Sequence, residues 1–271
     1  MKVRIVMAQL ESTSDKHVNY KKAVAAVHDS INNYNAQMIV FPEIFMSFFP
    51  VDTPLDVIVE DAEPLDGPFV AGMRQLAAET GTWLVFGMKE TAPDSRKDRV
   101  YNSVVVVRDD GSIAGVYRKT HLYNAFGFKE SDTIEPGSQL FEPIETPFGT
   151  IGLFVCYELR FPEIARHQAA LGADIILVPS GWVRGPMKEH HWNHLVTTRA
   201  LENTVFVVAC NQVSDFYTGQ SLVVDPMGVR LVAGPETEAL IPCEIDLSRI
   251  GSVREKLPSH RHRRAELYAP N

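Results

Sequence analysis

The sequence predicts a layered α/β fold in which two mixed β-sheets lie together and helices cover their outer faces. In the N-terminal third, short apolar runs alternate with segments whose apolar residues recur every three or four positions, which is typical of alternating strands and helices. Further along, apolar runs follow one another across turn residues such as Asp110-Gly111, which indicates hairpins. Parallel and antiparallel strands are therefore expected in the same fold.

The predicted strands are short, apolar and rich in β-branched residues, and turn residues bound them. They cover residues 3–10, 38–41, 83–88, 101–107, 113–117, a run that ends at Cys156, 174–178, 205–210, 220–224, 229–233 and 240–245. The predicted helices carry apolar residues at helical spacing, and stop signals such as Gly81 and Gly172 follow them. They cover residues 20–31, 69–80, 161–171 and 188–202.

The remaining segments are predicted to be irregular. Residues 50–68 and 123–137 are predicted loops, and a polar, arginine-rich tail follows residue 245. No linker, repeat or low-complexity segment divides the chain, so one domain spanning residues 1–271 is expected. A single open dinucleotide-binding sheet is the alternative fold. The Gly-x-Gly-x-x-Gly motif does not follow the first strand, however, so neither a dinucleotide nor another cofactor is expected.

Composition argues against several classes of protein. A formal net charge of -8 and a pI of about 5.6 are untypical of a protein that binds nucleic acid or a membrane surface. The short basic run at residues 260–264 is interpreted as a solvated or interface tail. Three widely spaced cysteines do not form a disulfide framework, and the N-terminal residues lack the features of a signal peptide. A cytoplasmic protein is expected.

The stretch LFVCYELRFPE, residues 153–163, has the pattern of a strand, a tight turn and a helix. Cys156 lies where the apolar run ends, and Pro162 lies at the start of the predicted helix. A cysteine on such a turn can be held beside free backbone N–H groups, which suits a nucleophile. A buried, unreactive cysteine is the alternative interpretation.

Two further polar residues, Glu43 and Lys119, follow short apolar strands. Strand ends converge on the ligand-binding crevice of an α/β fold, so these side chains are expected to lie near Cys156. Glu43 can take the thiol proton as a general base. Lys119 can favour the thiolate and can stabilise an oxyanion beside the backbone N–H of Tyr157. Considered singly, Glu43 and Lys119 can also be ordinary loop charges.

Three motifs resemble the signatures of the nitrilase superfamily, the carbon–nitrogen hydrolases: PEIF around Glu43, YRKTHL around Lys119 and CYELRFPE around Cys156. The resemblance implies a four-layer α-β-β-α sandwich and a Glu-Lys-Cys triad that hydrolyses linear amides through a thioester. A match in KESDTIEPG implies that Glu130 is a second catalytic glutamate, which positions Lys119 and the substrate. Glu158 departs from the pattern, because relatives most often carry Asp there, and this puts the fine geometry of the turn in question.

Within that superfamily, the segments KTHLYNAFGFKES, SGWVRGPMKEHHWNHLVTTRALENT and GQSLVVDPMGV resemble the bacterial deaminated-glutathione amidases. This likeness implies metabolite repair, in which deaminated glutathione is cleaved to 2-oxoglutarate and cysteinylglycine. The neighbouring ω-amidases, which hydrolyse 2-oxoglutaramate, are the alternative, followed by other aliphatic amidases and nitrilases. A catalytically silent oligomeric scaffold is the non-enzymatic alternative.

The expected substrate has an anionic 2-oxoacid end, which needs cations or N–H donors in the pocket. Arg184 and Lys188 are the candidate cations, although both can also be solvated loop charges. Tyr157, Trp182 and Trp192 are the other predicted substrate-binding residues, and Trp192 can serve as apolar wall and N–H donor at once. Arg160 can bind substrate, but an ion pair with Glu158 or Glu163 is the preferred interpretation.

Two further features bear on metals and assembly. His190 and His194 are four residues apart on a predicted helix, but the glutamate of the H-E-x-x-H motif is absent, since His191 stands in its place, and no third ligand is evident. No metal is therefore expected. The C-terminal RHRRAELY resembles the tail that subunits of relatives exchange, which implies a homodimer or a larger homo-oligomer.

Overall fold

The computed structural model describes residues 1–92 and 98–268. The prediction of one domain over 1–271 also covers residues 93–97 and 269–271, which lie outside the described residues. The strands are β1 (Lys2–Gln9), β2 (Met38–Val40), β3 (Trp83–Thr91), β4 (Val100–Val107), β5 (Ile113–Arg118), β6 (Ile144–Thr146), β7 (Gly149–Leu153), β8 (Ile175–Ser180), β9 (Phe206–Asn211), β10 (Leu222–Val224), β11 (Arg230–Ala233) and β12 (Ala239–Asp246). The helices are α1 (Lys16–Tyr34), α2 (Leu55–Asp61), α3 (Pro68–Thr80), α4 (Pro162–Ala170), α5 (Lys188–Asn203) and α6 (Ser248–Lys256).

The strands form two six-stranded mixed sheets, in the orders β12-β1-β2-β3-β4-β5 and β11-β10-β9-β8-β7-β6. In the first sheet β1, β2 and β3 are parallel, and in the second β7, β8 and β9 are parallel. The flanking strands are antiparallel and come from hairpins or from β12, the last strand. The prediction of two mixed sheets is confirmed, and the single open sheet is wrong.

The two faces of the first sheet have different partners, because successive side chains of a strand point to opposite faces. On one face, Val6 and Ala8 of β1 share a buried apolar cluster with α1 and α3. On the other face, Ile5 and Met7 share a cluster with the second sheet, whose outer face is covered by α4 and α5. The result is the expected four-layer α-β-β-α sandwich.

The helix predictions are correct for α1, α3, α4 and α5, with shifts at their ends. Asp15 caps α1 as expected, since its side chain accepts from the backbone N–H groups of His17 and Val18 at 2.8 and 3.2 Å. Two helices were missed. The short α2 lies inside the predicted loop 50–68, and α6 lies in the predicted tail. Each buries so few side chains that it has no long apolar stripe for the sequence to reveal.

None of the helices in the described ranges combines the length and the hydropathy needed to cross a lipid bilayer.

Candidate active site

Glu43, Lys119, Glu130 and Cys156, predicted from four separate stretches of the sequence, meet at the strand ends. Lys119 Nζ lies 2.9 Å from Glu43 Oε1 and 2.9 Å from Glu130 Oε2. The thiol of Cys156 lies beside the Glu43 carboxylate and the backbone N–H of Gly181. Glu43, Lys119 and Cys156 are 4%, 2% and 7% exposed, so their charges and dipoles act in a largely dehydrated space.

The Glu43 carboxylate is fixed from both sheets. Asn102 Nδ2, on β4, donates to Oε1 at 2.8 Å, and the backbone N–H of Gly181, after β8, donates to Oε2 at 2.7 Å. Gly87 lets the backbone of this segment pass close to β3, because a Cβ there would lie 2.3 Å from the nitrogen of Ile44. The carboxylate therefore has a single orientation toward Lys119 and Cys156.

Lys119 follows β5, and its backbone is bonded on both sides. Its N–H donates to the Asn102 carbonyl at 2.9 Å, and its carbonyl accepts from the Gly137 N–H at 2.9 Å. Burial alone would lower the pKa of the Lys119 ammonium, but Glu130 and Glu43 outweigh burial and hold that pKa well above its ordinary value. Lys119 is consequently a fixed cation beside the thiol.

Glu130 lies in a 3-10 turn, Glu130–Asp132, within the segment that was predicted to be loop-like. Its carboxylate accepts from Lys119 Nζ, from Asn102 Nδ2 at 3.0 Å and from the backbone N–H of Tyr123 at 2.6 Å. Glu130 is thereby a second carboxylate partner of the lysine, in addition to Glu43. Asn102 bridges the two glutamates, and nothing in the sequence pattern of β4 marks it out.

Cys156 begins a 3-10 turn, Cys156–Arg160, in a left-handed conformation with φ of 46°. This conformation is unfavourable for a residue with a side chain, and it persists where the surroundings enforce it. Pro162 then lies at the first position of α4, as predicted from the sequence. The arrangement is the tight turn between strand and helix that the sequence predicted.

Burial and the adjacent Glu43 raise the pKa of the Cys156 thiol well above its ordinary value, and Lys119 opposes them without reversing the result. Lys119 lowers the pKa of the thiol, as expected, but burial and Glu43 together raise this pKa by more. The sulfur is a thiol at rest and needs a base before it can attack. Glu43 is the carboxylate beside it.

Glu158 ties this turn to the segment that follows Lys119. Its Oε2 accepts from the backbone N–H of Val155 at 2.8 Å, and its Oε1 accepts from the Tyr117 hydroxyl at 2.7 Å. Oε1 also accepts from the Thr120 hydroxyl and backbone N–H at 2.7 and 3.1 Å, and His121 Nδ1 lies 3.3 Å away. Burial alone would raise the pKa of Glu158, but the hydrogen bonds from His121, Val155, Thr120 and Tyr117 lower it below its ordinary value. The carboxylate is thus fully engaged inside the protein.

A cavity of about 390 Å³ opens onto the four residues. Three of the predicted substrate-binding residues, Tyr157, Trp182 and Lys188, line it. The lining also contains aromatic and cationic residues that the sequence did not suggest: Phe48, Phe49, Lys89, Tyr123, Phe128, Phe216 and Tyr217. The cavity is therefore mainly aromatic and apolar, with a few cations.

Arg184 and Trp192 do not line the cavity. Arg184 Nε donates to the Ser214 carbonyl at 3.1 Å, and its Nη1 lies 3.8 Å from Glu236. Trp192 is fully buried behind Trp182, with ring centroids 5.5 Å apart, and its N–H donates to the Gln220 carbonyl at 2.8 Å. Their placement does not support direct contact with a substrate, because both side chains are already used elsewhere.

Arg160 lines the cavity, and its predicted ion pair with Glu158 or Glu163 is wrong. The guanidinium lies 5.1 Å from the Trp182 ring, and its Nε is buried without a hydrogen-bond partner among the described residues. Lys188 Nζ donates to the Tyr123 hydroxyl at 2.8 Å and lies 4.4 Å from the Phe126 ring. Burial, followed by the charge of Arg160, lowers the pKa of Lys188. Two cations thus approach each other in the cavity, and neither forms an ion pair within residues 1–92 and 98–268.

Comparison with known proteins identifies the family to which this chain belongs. The carbon-nitrogen hydrolase pattern matches residues 4–255. The chain is 36% identical over 230 residues to a deaminated glutathione amidase of Escherichia coli O157:H7, covering 85% of this chain and 86% of that one. The chain belongs to the carbon-nitrogen hydrolase family.

Other members of the carbon-nitrogen hydrolase family are similar over nearly the whole chain. The omega-amidase NIT3 of Saccharomyces cerevisiae is 32% identical over 286 residues, covering 99% of this chain and 95% of that one. A crystal structure of a carbon-nitrogen hydrolase from Helicobacter pylori superposes with a TM-score of 0.90 at 26% identity, covering 99% of this chain and 97% of that one. Sequence and structure therefore agree on the family and its sandwich fold.

The histidines of α5 are not arranged as metal ligands in this carbon-nitrogen hydrolase. The rings of His190 and His194 lie against each other, with centroids 3.9 Å apart, and His194 Nδ1 lies 2.8 Å from the His190 carbonyl. Across residues 1–92 and 98–268, no group of three or more His, Cys, Asp or Glu side chains has the arrangement of a metal site.

Proposed function

We propose that this carbon-nitrogen hydrolase is a cysteine-dependent amidase with a Glu43-Lys119-Cys156 triad and Glu130 as a fourth catalytic residue. The observation that carries the proposal is the ammonium of Lys119, held 2.9 Å from each of two carboxylates beside a thiol. A fixed cation there can stabilise negative charge on a substrate oxygen, and a carboxylate can move the proton. Both functions are needed to hydrolyse an amide.

Acylation begins when Glu43 takes the proton of the Cys156 thiol as the sulfur attacks the amide carbon. The carbonyl oxygen becomes an oxyanion, which Lys119 Nζ and the backbone N–H of Tyr157 stabilise. The C–N bond then breaks, and Glu43 gives its proton to the departing nitrogen. The products of this half-reaction are a free amine and a thioester on Cys156. Glu130 keeps Lys119 in place throughout.

Deacylation repeats the same steps with water. Glu43 takes a proton from a water molecule, whose oxygen attacks the thioester carbon, and the oxyanion again lies beside Lys119. The C–S bond breaks, the sulfur recovers its proton from Glu43, and a carboxylic acid leaves. Because Cys156 is a thiol at rest, the resting enzyme is restored without a net change in charge.

The substrate we propose has an anionic 2-oxoacid end, and deaminated glutathione is the leading candidate. Arg160 and Lys188 support this choice, because a half-buried guanidinium and a nearby ammonium, both without an ion pair among the described residues, provide a site for a carboxylate. Trp182 and Tyr157 supply the apolar wall for the intervening carbons. The products would be 2-oxoglutarate and cysteinylglycine, in a reaction of metabolite repair.

An ω-amidase acting on 2-oxoglutaramate is the second candidate, since a relative of that name matches 99% of the chain and the same cations would serve its substrate. Simple aliphatic amides and nitriles fit less well. They would leave Arg160 and Lys188 unpaired in a closed site. A silent scaffold fits least, because it would have no use for the buried ion pairs around Lys119.

The decisive experiment compares kcat/KM for deaminated glutathione, 2-oxoglutaramate, a simple aliphatic amide and a nitrile on one preparation. We expect the first to be preferred and Cys156→Ala to abolish turnover while the fold is kept. Cys243→Ala, at a partly buried cysteine of β12, is the matched control and should remain active. Preference for the neutral amide or nitrile would refute the carboxylate site, and turnover by Cys156→Ala would remove this cysteine from the mechanism.

We further propose that the chain is one catalytic domain, that it forms at least a homodimer, and that it works in the cytoplasm. Assembly is supported by the C-terminal tail, where Leu267 and Tyr268 are 63% and 62% exposed. A reducing compartment is supported by the three cysteines, all of which are free thiols.

A further inference from the structure

Lys89 is a buried cation in the cavity wall that the proposed chemistry does not use. It lies on β3, is 6% exposed, and lines the cavity together with Phe49, Ile58 and Ile134. Its Nζ donates to the Ser47 carbonyl at 2.5 Å, lies 3.4 Å from the Ser47 hydroxyl, and lies 4.5 Å from the centroid of the Phe49 ring. A buried ammonium normally has a carboxylate partner, because removing a charge from water is costly.

Among the described residues, no carboxylate forms an ion pair with Lys89. The nearest acidic group, Asp61, bonds instead to the Ser47 hydroxyl and lies 3.5 Å from Lys16 Nζ. Lys16 also pairs with Glu63 at 2.9 Å. Burial lowers the pKa of Lys89 to about 8, with Asp61 opposing burial and Lys16 adding to it. Among the described residues, the hydrogen-bond acceptors of this ammonium are the two Ser47 oxygens, and neither of them carries a charge.

The position of Lys89 relative to the triad follows from strand register. Lys89 pairs with Asn102 across β3 and β4, so the two side chains lie on the same face. Asn102 Nδ2 donates to both Glu43 and Glu130. On its other side, Glu43 accepts from the N–H of Gly181, the residue before Trp182. The triad therefore lies between the wall that holds Lys89 and the wall that holds Trp182, Arg160 and Lys188.

The direction of the reaction assigns the two walls to the two parts of the substrate. In the proposed function one wall takes the 2-oxoacid end, and Glu43 lies between the two walls, so the departing nitrogen receives its proton on the side of Asn102. The acyl part, with its 2-oxoacid end, is held by Arg160 and Lys188 on the opposite side. The leaving group then extends along Phe49, Ile58 and Ile134, which can cover a short apolar or peptide-like chain.

We propose that Lys89 binds a carboxylate at the far end of the amine leaving group, which makes the enzyme selective for amides of an anionic, dipeptide-like amine. This inference rests on the proposed function, since it needs an amide cleaved between the two walls. It adds a second anionic subsite to the one that Arg160 and Lys188 form. The substrate class is then a chain with a carboxylate at each end and the scissile amide in between.

The test uses two substrates that differ only in the leaving group's terminus: deaminated glutathione and its C-terminal carboxamide. For the wild-type enzyme, kcat/KM should favour the acid by roughly ten- to a hundredfold, the scale of one charged hydrogen bond. Lys89→Met should reduce that ratio to about one. It should lower kcat/KM for 2-oxoglutaramate, which has no carboxylate on its leaving group, far less than kcat/KM for the acid.

Lys16→Met is the matched control, because it removes a cation from the same cluster but does not line the cavity. It should preserve the preference for the acid. A purely structural Lys89 would instead make Lys89→Met lower kcat/KM for acid, carboxamide and 2-oxoglutaramate alike, and that result would overturn the subsite. Equal rates of the active wild-type enzyme on acid and carboxamide would overturn it as well.

A second measurement needs no variant. The charged groups around Lys89 are Asp61, Glu63 and Lys16 on one side, and Glu43 and Glu130 beyond Asn102 on the other. As pH rises past about 8, Lys89 loses its proton, so the wild-type preference for acid over carboxamide should fall. A preference that stays constant to pH 9.5 would count against the subsite. If the wild-type enzyme hydrolysed neither deaminated glutathione nor its carboxamide, the leading substrate of the proposed function would be refuted, and the subsite with it.

Discussion

The substitution Glu158→Gln tests whether the Cys156 turn and the segment after Lys119 are held together by one carboxylate. Glutamine has the same shape but only one acceptor oxygen. In its least costly orientation it keeps the contacts to Tyr117, Thr120 and His121 and turns its NH2 toward the Val155 N–H, which loses its acceptor. A hydrogen bond to a charged group contributes about 1.5–3 kcal/mol, and an unpaired buried donor adds to the loss. We expect the free energy of unfolding to fall by about 3 kcal/mol.

For a chain of this size that loss corresponds to a fall in Tm of roughly 6–12 °C. Urea denaturation at pH 7 gives the free energy of unfolding, and steady-state kinetics give kcat and KM. Because Val155 precedes the nucleophile, kcat should fall by about tenfold or more while KM changes less. Glu163→Gln, at an exposed glutamate of α4, is the control and should change stability by less than about 0.5 kcal/mol. A loss below about 1 kcal/mol with unchanged kcat would refute the reasoning.

The difference in the free energy of unfolding between wild type and Glu158→Gln should depend on pH in a definite direction. The pKa of Glu158 is lowered from its ordinary value of 4.5, so its stabilisation is complete above pH 4.5 and is lost as pH falls through the folded value. The pKa of His121 is raised from 6.5, chiefly by its hydrogen bond to Glu158, so its stabilisation is present below pH 6.5 and is lost as pH rises through the folded value. The loss of unfolding free energy caused by Glu158→Gln should therefore be largest between pH 4.5 and 6.5.

Three further predictions concern the triad and assembly. Lys119→Met should lower kcat by about a hundredfold or more, the scale for removing an oxyanion donor, and a change confined to KM would make Lys119 a binding residue instead. Gly87→Ala should reduce kcat severely in a folded protein, because the new Cβ would lie 2.3 Å from the Ile44 nitrogen and must displace the Glu43 backbone; circular dichroism separates this from unfolding. Light scattering at micromolar concentration should give at least a dimer, and truncation of the chain after residue 260, which removes RHRRAELY, should weaken it; a monomeric full-length chain would contradict this.

The two mixed sheets and three of the four central residues could be predicted from local signals, whereas the four-layer sandwich and Glu130 came from the resemblance to the nitrilase superfamily. Short apolar runs mark the strands, and Glu43, Lys119 and Cys156 each follow one of them, so convergence at the strand ends is a consequence of the α/β architecture. Glu130 was predicted from its motif alone, because it lies in a loop and no periodic pattern of apolar residues predicts how that loop runs.

What the sequence could not give is the direction of side chains around the turn. Arg160 is two residues from Glu158 and three from Glu163, which suggested an ion pair. In the fold, the Glu158 carboxylate points inward to Tyr117 and Thr120, and the guanidinium points into the cavity toward Trp182. Lys89 was missed for a similar reason. It comes directly after the predicted strand 83–88, where a lysine resembles an ordinary surface residue, whereas in the fold it is buried and lines the cavity.

The protonated, nearly enclosed sulfur of Cys156 has a consequence for chemical selectivity. Peroxide and simple alkylating agents react with thiolates, so a thiol whose pKa is raised by burial and by Glu43 should resist them at neutral pH. In the proposed mechanism the sulfur reacts when a bound molecule brings an electrophilic carbon to it within reach of Glu43. We expect peroxide to inactivate the enzyme more slowly than it oxidises an exposed cysteine of low pKa. Under the proposed substrate site, a covalent inhibitor would combine a reactive carbon with an anionic group for Arg160 and Lys188.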